Sequence, residues 1–229
     1  AACPSTVQGG NLMNSLFTPL SWSDSGLILT GVWNTVIISV VAIVVGTLLG
    51  LVVGFIRSES NKVVNVVFGG VLDVLRSVPL IIQLILFSTF VGAMGNPLAP
   101  FVAGSIVLSL YTMAFMAEVF RGGFESVSPS MQTAARSLGM TKWQTIYHIR
   151  LPIGLRAVFP SWLGVSLSVI KDSALVSVIG YMELLRTSEQ LISRTQQPLE
   201  ILIGVGIFYF IISYPLSHYG RYVERKMAI

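Results

Sequence analysis

Residues 128–152 read Ser-Pro-Ser-Met-Gln-Thr-Ala-Ala-Arg-Ser-Leu-Gly-Met-Thr-Lys-Trp-Gln-Thr-Ile-Tyr-His-Ile-Arg-Leu-Pro, a polar and basic stretch in an otherwise apolar chain. Ser128-Pro129 is a strong helix start, since Ser caps and Pro suits the first helical position. Thr133-Ala-Ala-Arg-Ser-Leu138 is good helix material, and Gly139 suits the left-handed position that ends a helix. Thr141-Lys-Trp-Gln144 has the form of a capping box opening a second helix, which Pro152 is expected to limit. The pattern predicts two short helices hinged at a glycine. The small face of Thr133, Ala134 and Ala135 leaves room for a partner's backbone. By periodicity alone, a basic hairpin lying on lipid headgroups fits equally well.

The rest of the chain sets the class. Of 229 residues, 53% are hydrophobic and 10% charged, with mean hydropathy +0.79. Soluble domains carry about 25% charged residues, so this composition excludes an ordinary soluble domain. Several apolar runs reach the roughly 20 residues that cross a bilayer. The net charge of +4 needs no nucleic acid, because Lys and Arg collect in the cytoplasmic loops of membrane proteins. The single cysteine, Cys3, permits no internal disulfide and reads as a free thiol.

Five spans are predicted: about 27–56, 78–91 (preceded by a broken apolar stretch at 63–75), 98–119, 153–170 interrupted by Pro160, and 201–216. Residues 1–26 form an extracytoplasmic segment, in which Leu12, Leu16, Phe17, Leu20 and Trp22 suit a short interfacial helix. Residues 27–220 make the transmembrane domain, with a cytoplasmic segment at 121–151, and 221–229 form a cytoplasmic tail. Arg57, Lys62, Arg121, Arg136, Lys142, Arg150, Arg156, Arg221, Arg225 and Lys226 place the N-terminus outside and the C-terminus in the cytoplasm. Arg186 and Arg194 run against that rule. There is no internal repeat of the kind common in secondary transporters, and no Gly-x-x-x-x-Gly-Lys-Ser/Thr phosphate cradle.

Charged residues within spans are functional candidates by default. Lys171 and Asp172, with Ser173, are candidates for a polar lining of a translocation path. The competing reading is a helix break anchored at the outer face. Glu118 is a fourth candidate, against a structural pair with Arg121 three residues on. His148 and His218 have no metal-ligand companion, and no hydrolase or redox constellation is present.

On these residues the sequence resembles the permease subunits of bacterial binding-protein-dependent ABC importers, in particular the polar amino acid family. The family's signature is Glu-Ala-Ala, three residues, Gly, then Ile-x-Leu-Pro. Here it is Thr133-Ala134-Ala135, Gly139 and Ile149-Arg150-Leu151-Pro152. Asn34-Thr35, the stretches 75–84, 117–123 and 170–180, Leu155-Arg156, Pro160 and Glu183-Leu184 match as well, so the likeness spans about residues 30–226. The clear departure is Thr133, where the family has an acid, and with it goes the charged contact that the acid makes; the family's usual Gly-Gln just before the motif is also altered, to Ser130-Met131.

The resemblance implies an all-α integral membrane fold, five transmembrane helices of the type I, MetI-like kind with a cytoplasmic coupling helix. It implies ATPase coupling through Thr133, Ala134, Ala135, Leu138, Gly139, Leu151 and Pro152. No cofactor is expected in this chain, since ATP and Mg belong to two partner ATPase subunits. The other implied partners are a second permease, identical or paralogous, and an extracytoplasmic amino-acid-binding protein. The setting is the bacterial inner membrane, with no nucleic acid. An autonomous transporter or channel, or a scaffold whose hairpin recruits a soluble protein, are the alternatives.

Overall fold

A computed structural model describes residues 24–227. The interfacial helix expected near the N-terminus and Cys3 lie outside the described residues. Among those described there is no strand. The helices are α1 (Asp24–Glu59), α2 (Lys62–Ser77), α3 (Leu80–Ala93), α4 (Pro100–Glu125), α5 (Pro129–Ser137), α6 (Lys142–Thr145), α7 (Leu151–Asp172), α8 (Leu184–Thr195) and α9 (Pro198–Met227). A π turn (Ile146–Arg150) joins α6 to α7, and a 3₁₀ turn (Ser173–Ile179) follows α7.

Four helical stretches are long and apolar enough to cross a membrane: α1, α4, α9 and the run Lys142–Ile179. The fifth candidate span is the pair α2–α3, bent by 99°. Pro79 explains the bend. It has no N–H to continue a helix, and it forces Val78 before it into extended backbone (φ −80°, ψ 127°). The Gln83 side chain repairs the break by donating to the carbonyls of Leu75 (2.7 Å) and Val78 (2.8 Å).

Two prolines behave otherwise than the sequence suggests. Pro160 does not interrupt the fourth span, because α7 runs through it while packed against α4 and α9. Pro152 does not stop the second short helix. It lies in the first turn of α7, just after the π turn has shifted the hydrogen-bond register (Leu151 N–H to Ile146 carbonyl), where its missing N–H costs least.

The core is built on α1 against α4. Gly46, Gly50 and Gly54 recur at helical spacing on one face of α1. A Cβ on them would meet Thr112 Cβ at 2.5 Å, Met116 Cβ at 2.4 Å and the Ala117 carbonyl at 2.6 Å. Only glycine admits so close an approach, and the α4 side chains fill the space. Leu84, Leu108, Ile38, Val169 and Val176 form a buried cluster toward one end of the bundle, and Met116, Phe120, Phe124 and Val158 another toward the other. The outward faces of α1, α2, α3 and α9 are apolar and exposed, as a lipid or protein contact requires.

The helices α1 and α4 run the same way and α7 runs back, so the chain has two distinct ends. The termini of α1 and α4, together with α5, α6 and the start of α7, gather Arg57, Arg121, Arg136, Lys142, Arg150 and Arg156 at one of them. The 3₁₀ turn and α8 lie at the other.

Candidate functional site

The 128–152 segment is built by its own local chemistry. The Ser128 hydroxyl accepts from the Met131 N–H, with Pro129 in the first turn of α5. The helix ends in a Schellman motif. Gly139 (φ +83°) donates to the Arg136 carbonyl at 2.9 Å, and Met140 to the Ala135 carbonyl at 3.1 Å. The capping box is complete: the Gln144 N–H donates to Thr141 Oγ1 at 3.3 Å, and the Thr141 N–H to Gln144 Oε1 at 2.8 Å. Thr133 turns its hydroxyl back to the Pro129 carbonyl (3.0 Å), so it offers a partner a methyl group and a satisfied oxygen.

Of the seven residues singled out in this segment, Thr133, Ala134, Leu138, Gly139 and Pro152 are exposed. Ala135 is buried, and Leu151 packs on the Phe120–Phe124 cluster. Leu138 is 84% exposed and Trp143 72%. A shallow cleft of about 330 Å³ opens beside Leu138, lined by Leu138, Gly139, Met140, Gln144 and His148. An open apolar rim around a fixed helix–turn–helix suits protein docking.

Behind this surface lie long-range ion pairs that sequence spacing did not reveal, beside local ones that it did. Glu59, the last residue of α1, takes Arg150 Nη1 on one carboxylate oxygen and Lys142 Nζ (2.8 Å) on the other. Two residues earlier, Arg57 reaches the opposite way, to Glu118 (2.9 Å) on α4 and to Asn65 Oδ1 (3.0 Å) on α2. Glu118 also pairs with Arg121, as its three-residue spacing predicts, and Arg121 with Glu125 (2.5 Å). The available signal was the charge cluster Arg57-Ser-Glu59 closing an apolar span.

The other candidates stand elsewhere. Lys171 and Asp172 end α7 and Ser173 opens the 3₁₀ turn, at the far end of the bundle from Glu118 and about 33 Å of helix from Leu151 at 1.5 Å per residue. Lys171 is exposed and Asp172 half-buried, while Ser173 is buried with its hydroxyl on the Ile170 carbonyl (2.8 Å). The four are therefore not one cluster. Near the 171–173 end, Asn34 and Thr35 of α1 hold the start of α8. Asn34 Nδ2 donates to the Met182 carbonyl (2.7 Å), and Thr35 Oγ1 accepts from the Leu184 N–H (3.1 Å). Glu183 is fully buried and caps α8, accepting from Leu185 and Arg186 N–H. Burial pushes its carboxyl up to about 7. Among the described residues no group of His, Cys, Asp or Glu has metal-site geometry.

The fold and the segment have clear counterparts. Residues 46–229 match the family described as binding-protein-dependent transport system inner membrane component. The glutamine transport system permease protein of Escherichia coli (strain K12) is 33% identical over 91% of this chain and 96% of its own length. A probable glutamine ABC transporter permease of Bacillus subtilis (strain 168) is 30% identical over 90% and 95%. A crystal structure of an amino acid ABC transporter with histidines superposes with a TM-score of 0.82 at 27% identity, over 97% of this chain and 100% of that one. An inward-facing methionine ABC transporter shares the fold (TM-score 0.79, 20% identity, 92% of this chain and 100% of that one). With apolar helices suited to several membrane crossings and this match, the chain belongs to the binding-protein-dependent transport system inner membrane components, the permease subunits of ABC importers.

Proposed function

We propose that this chain is the membrane-spanning subunit of an ATP-driven importer of polar amino acids, working by alternating access. The observation that carries the reading is the 128–152 segment. It is a rigidly capped helix–Gly–helix with an open apolar rim, continuous through the π turn with a span and ion-paired to another. A displacement imposed on such a surface moves helices rather than a loose loop. The relatives named for glutamine, and the glutamate/aspartate import permease of Escherichia coli at 30% identity, support polar amino acids as the substrate class.

In this reading two ATPase subunits bind ATP and Mg and dock on the rim formed by Thr133, Ala134, Leu138 and Gly139. Five spans are too few to enclose a path, so a second permease completes it. An amino-acid-binding protein delivers substrate at the α8 end. The gathering of cations at the 128–152 end orients it toward the cytoplasm, with the N-terminus outside and the C-terminus inside. Thr133 replaces the family acid, so shape and apolar contact hold the ATPase here in place of a charge. Lys171, Asp172 and Ser173 remain the proposed polar lining. Glu118 is engaged by Arg57 and Arg121, which favours a structural role for it.

The test is affinity purification of the tagged chain from its own membrane, followed by ATPase assay in proteoliposomes. Co-purification of an ATPase whose activity rises with an extracytoplasmic binding protein and glutamine is expected. A chain that purifies without an ATPase, or one that leaves its activity unmoved, overturns the proposal.

A further inference from the structure

Glu59 makes one contact pattern that the docking surface does not require. Its single carboxylate holds Lys142, the first residue of α6, and Arg150, the last of the π turn. These two are eight residues apart. In an unbroken α-helix they would diverge by about 80° around the axis. The π turn between them carries fewer degrees per residue and brings Arg150 back to the side of Lys142. The segment is thus wound to present both cations to one acid. Lys142 is 64% exposed and contributes little on its own. Arg150 (12%) and Glu59 (18%) are largely shielded from water, where such a pair is stiff and costly to break. On the other side of the same helix end, Arg57 is fixed to α4 and α2.

We infer that Glu59 is a positioning residue that carries movement of the 128–152 segment into α1, alongside the covalent route into α7. The inference rests on the proposed docking role of that segment. With both routes intact, α1 and α7 move as a unit when the segment is displaced. With Glu59 neutralised, only α7 follows directly.

Two readouts test it. In the full chain in nanodiscs, Glu59→Gln raises amide hydrogen exchange over residues 142–150 roughly tenfold, the scale of a typical coupling free energy. In proteoliposomes containing the whole complex, the same variant keeps its ATPase subunits but imports roughly tenfold less glutamine per ATP hydrolysed. Reversing all three signs (Glu59→Arg, Lys142→Glu, Arg150→Glu) restores both. Unchanged exchange overturns the clamp whatever the complex transports. Faster exchange with an unchanged ratio of import to hydrolysis shows a purely structural tie and overturns the transmitting role. Failure of the unmodified chain to retain an ATPase counts against the docking role, and the exchange arm still decides the clamp.

Discussion

The hydroxyl of Thr35, inside the first span, accepts a hydrogen bond from the backbone N–H of Leu184, 149 residues further along the chain. The same oxygen donates to the Gly31 carbonyl one turn back (3.0 Å), so both of its roles are used. Beside it, Asn34 takes the Met182 carbonyl. On the same face a Cβ at Gly31 would lie 2.8 Å from Thr187 Oγ1. Together these residues fix where α8 begins and how closely it approaches α1.

Thr35→Val keeps the shape and removes the acceptor. The Leu184 N–H is then buried without a partner, which costs about 1–3 kcal/mol. The expected result is a lower thermal midpoint for the purified protein in detergent. Thr35→Ser keeps the oxygen and restores most of the loss.

The α1–α4 approach gives a sharper contrast. Gly50→Val places a Cβ 2.4 Å from Met116 Cβ, and both helices must separate. Overpacking of this kind costs about 1–3 kcal/mol or more. The yield of monodisperse protein should fall and the thermal midpoint with it. Gly204→Ala on α9, where a Cβ meets nothing within 4 Å, should lower neither, since alanine favours a helix interior over glycine.

Gly139 is open in space but held at φ +83°, so a side chain there strains backbone rather than packing. Gly139→Val costs about 1–3 kcal/mol, confined to the end of α5. Under the proposed function, it uncouples ATP hydrolysis from uptake while the assembled spans keep their thermal midpoint. Undiminished uptake would remove Gly139 from the docking role.

Glu183 gives the bundle a pH dependence with a definite sign. Its carboxyl stands at about 7 in the folded chain, above the ordinary 4.5, so the native state holds the proton more tightly than the unfolded one. Its contribution is fully present below about pH 4.5 and is lost as pH rises through about 7. The facing groups are the Leu185 and Arg186 N–H donors, Thr35, Tyr181, Tyr209 and the Glu189 charge. Raising the pH from 5 to 8 should lower the thermal midpoint. Glu183→Gln should flatten that slope, and a slope that persists in the variant assigns the effect to another group.

How much of this was legible in the sequence follows from the range of each interaction. The membrane class, the start of α5 at Ser128-Pro129, the Gly139 turn, the Thr141–Gln144 box and the Glu118–Arg121 pair are decided within a few residues. Composition and local spacing therefore state them. Tertiary structure alone decided the rest. Pro79 bends a span by 99°, whereas Pro160, equally unable to donate, sits in a continuous helix because α4 and α9 hold it. In the sequence Asn34 and Thr35 stand only as a match to the family, and Glu59 only as a charge just past the first span. Their partners at Met182, Leu184, Lys142 and Arg150 are brought to them by the antiparallel return of the chain. A side chain's spacing within its own helix fixes the direction it points, and only the packing of the other helices supplies what it meets there.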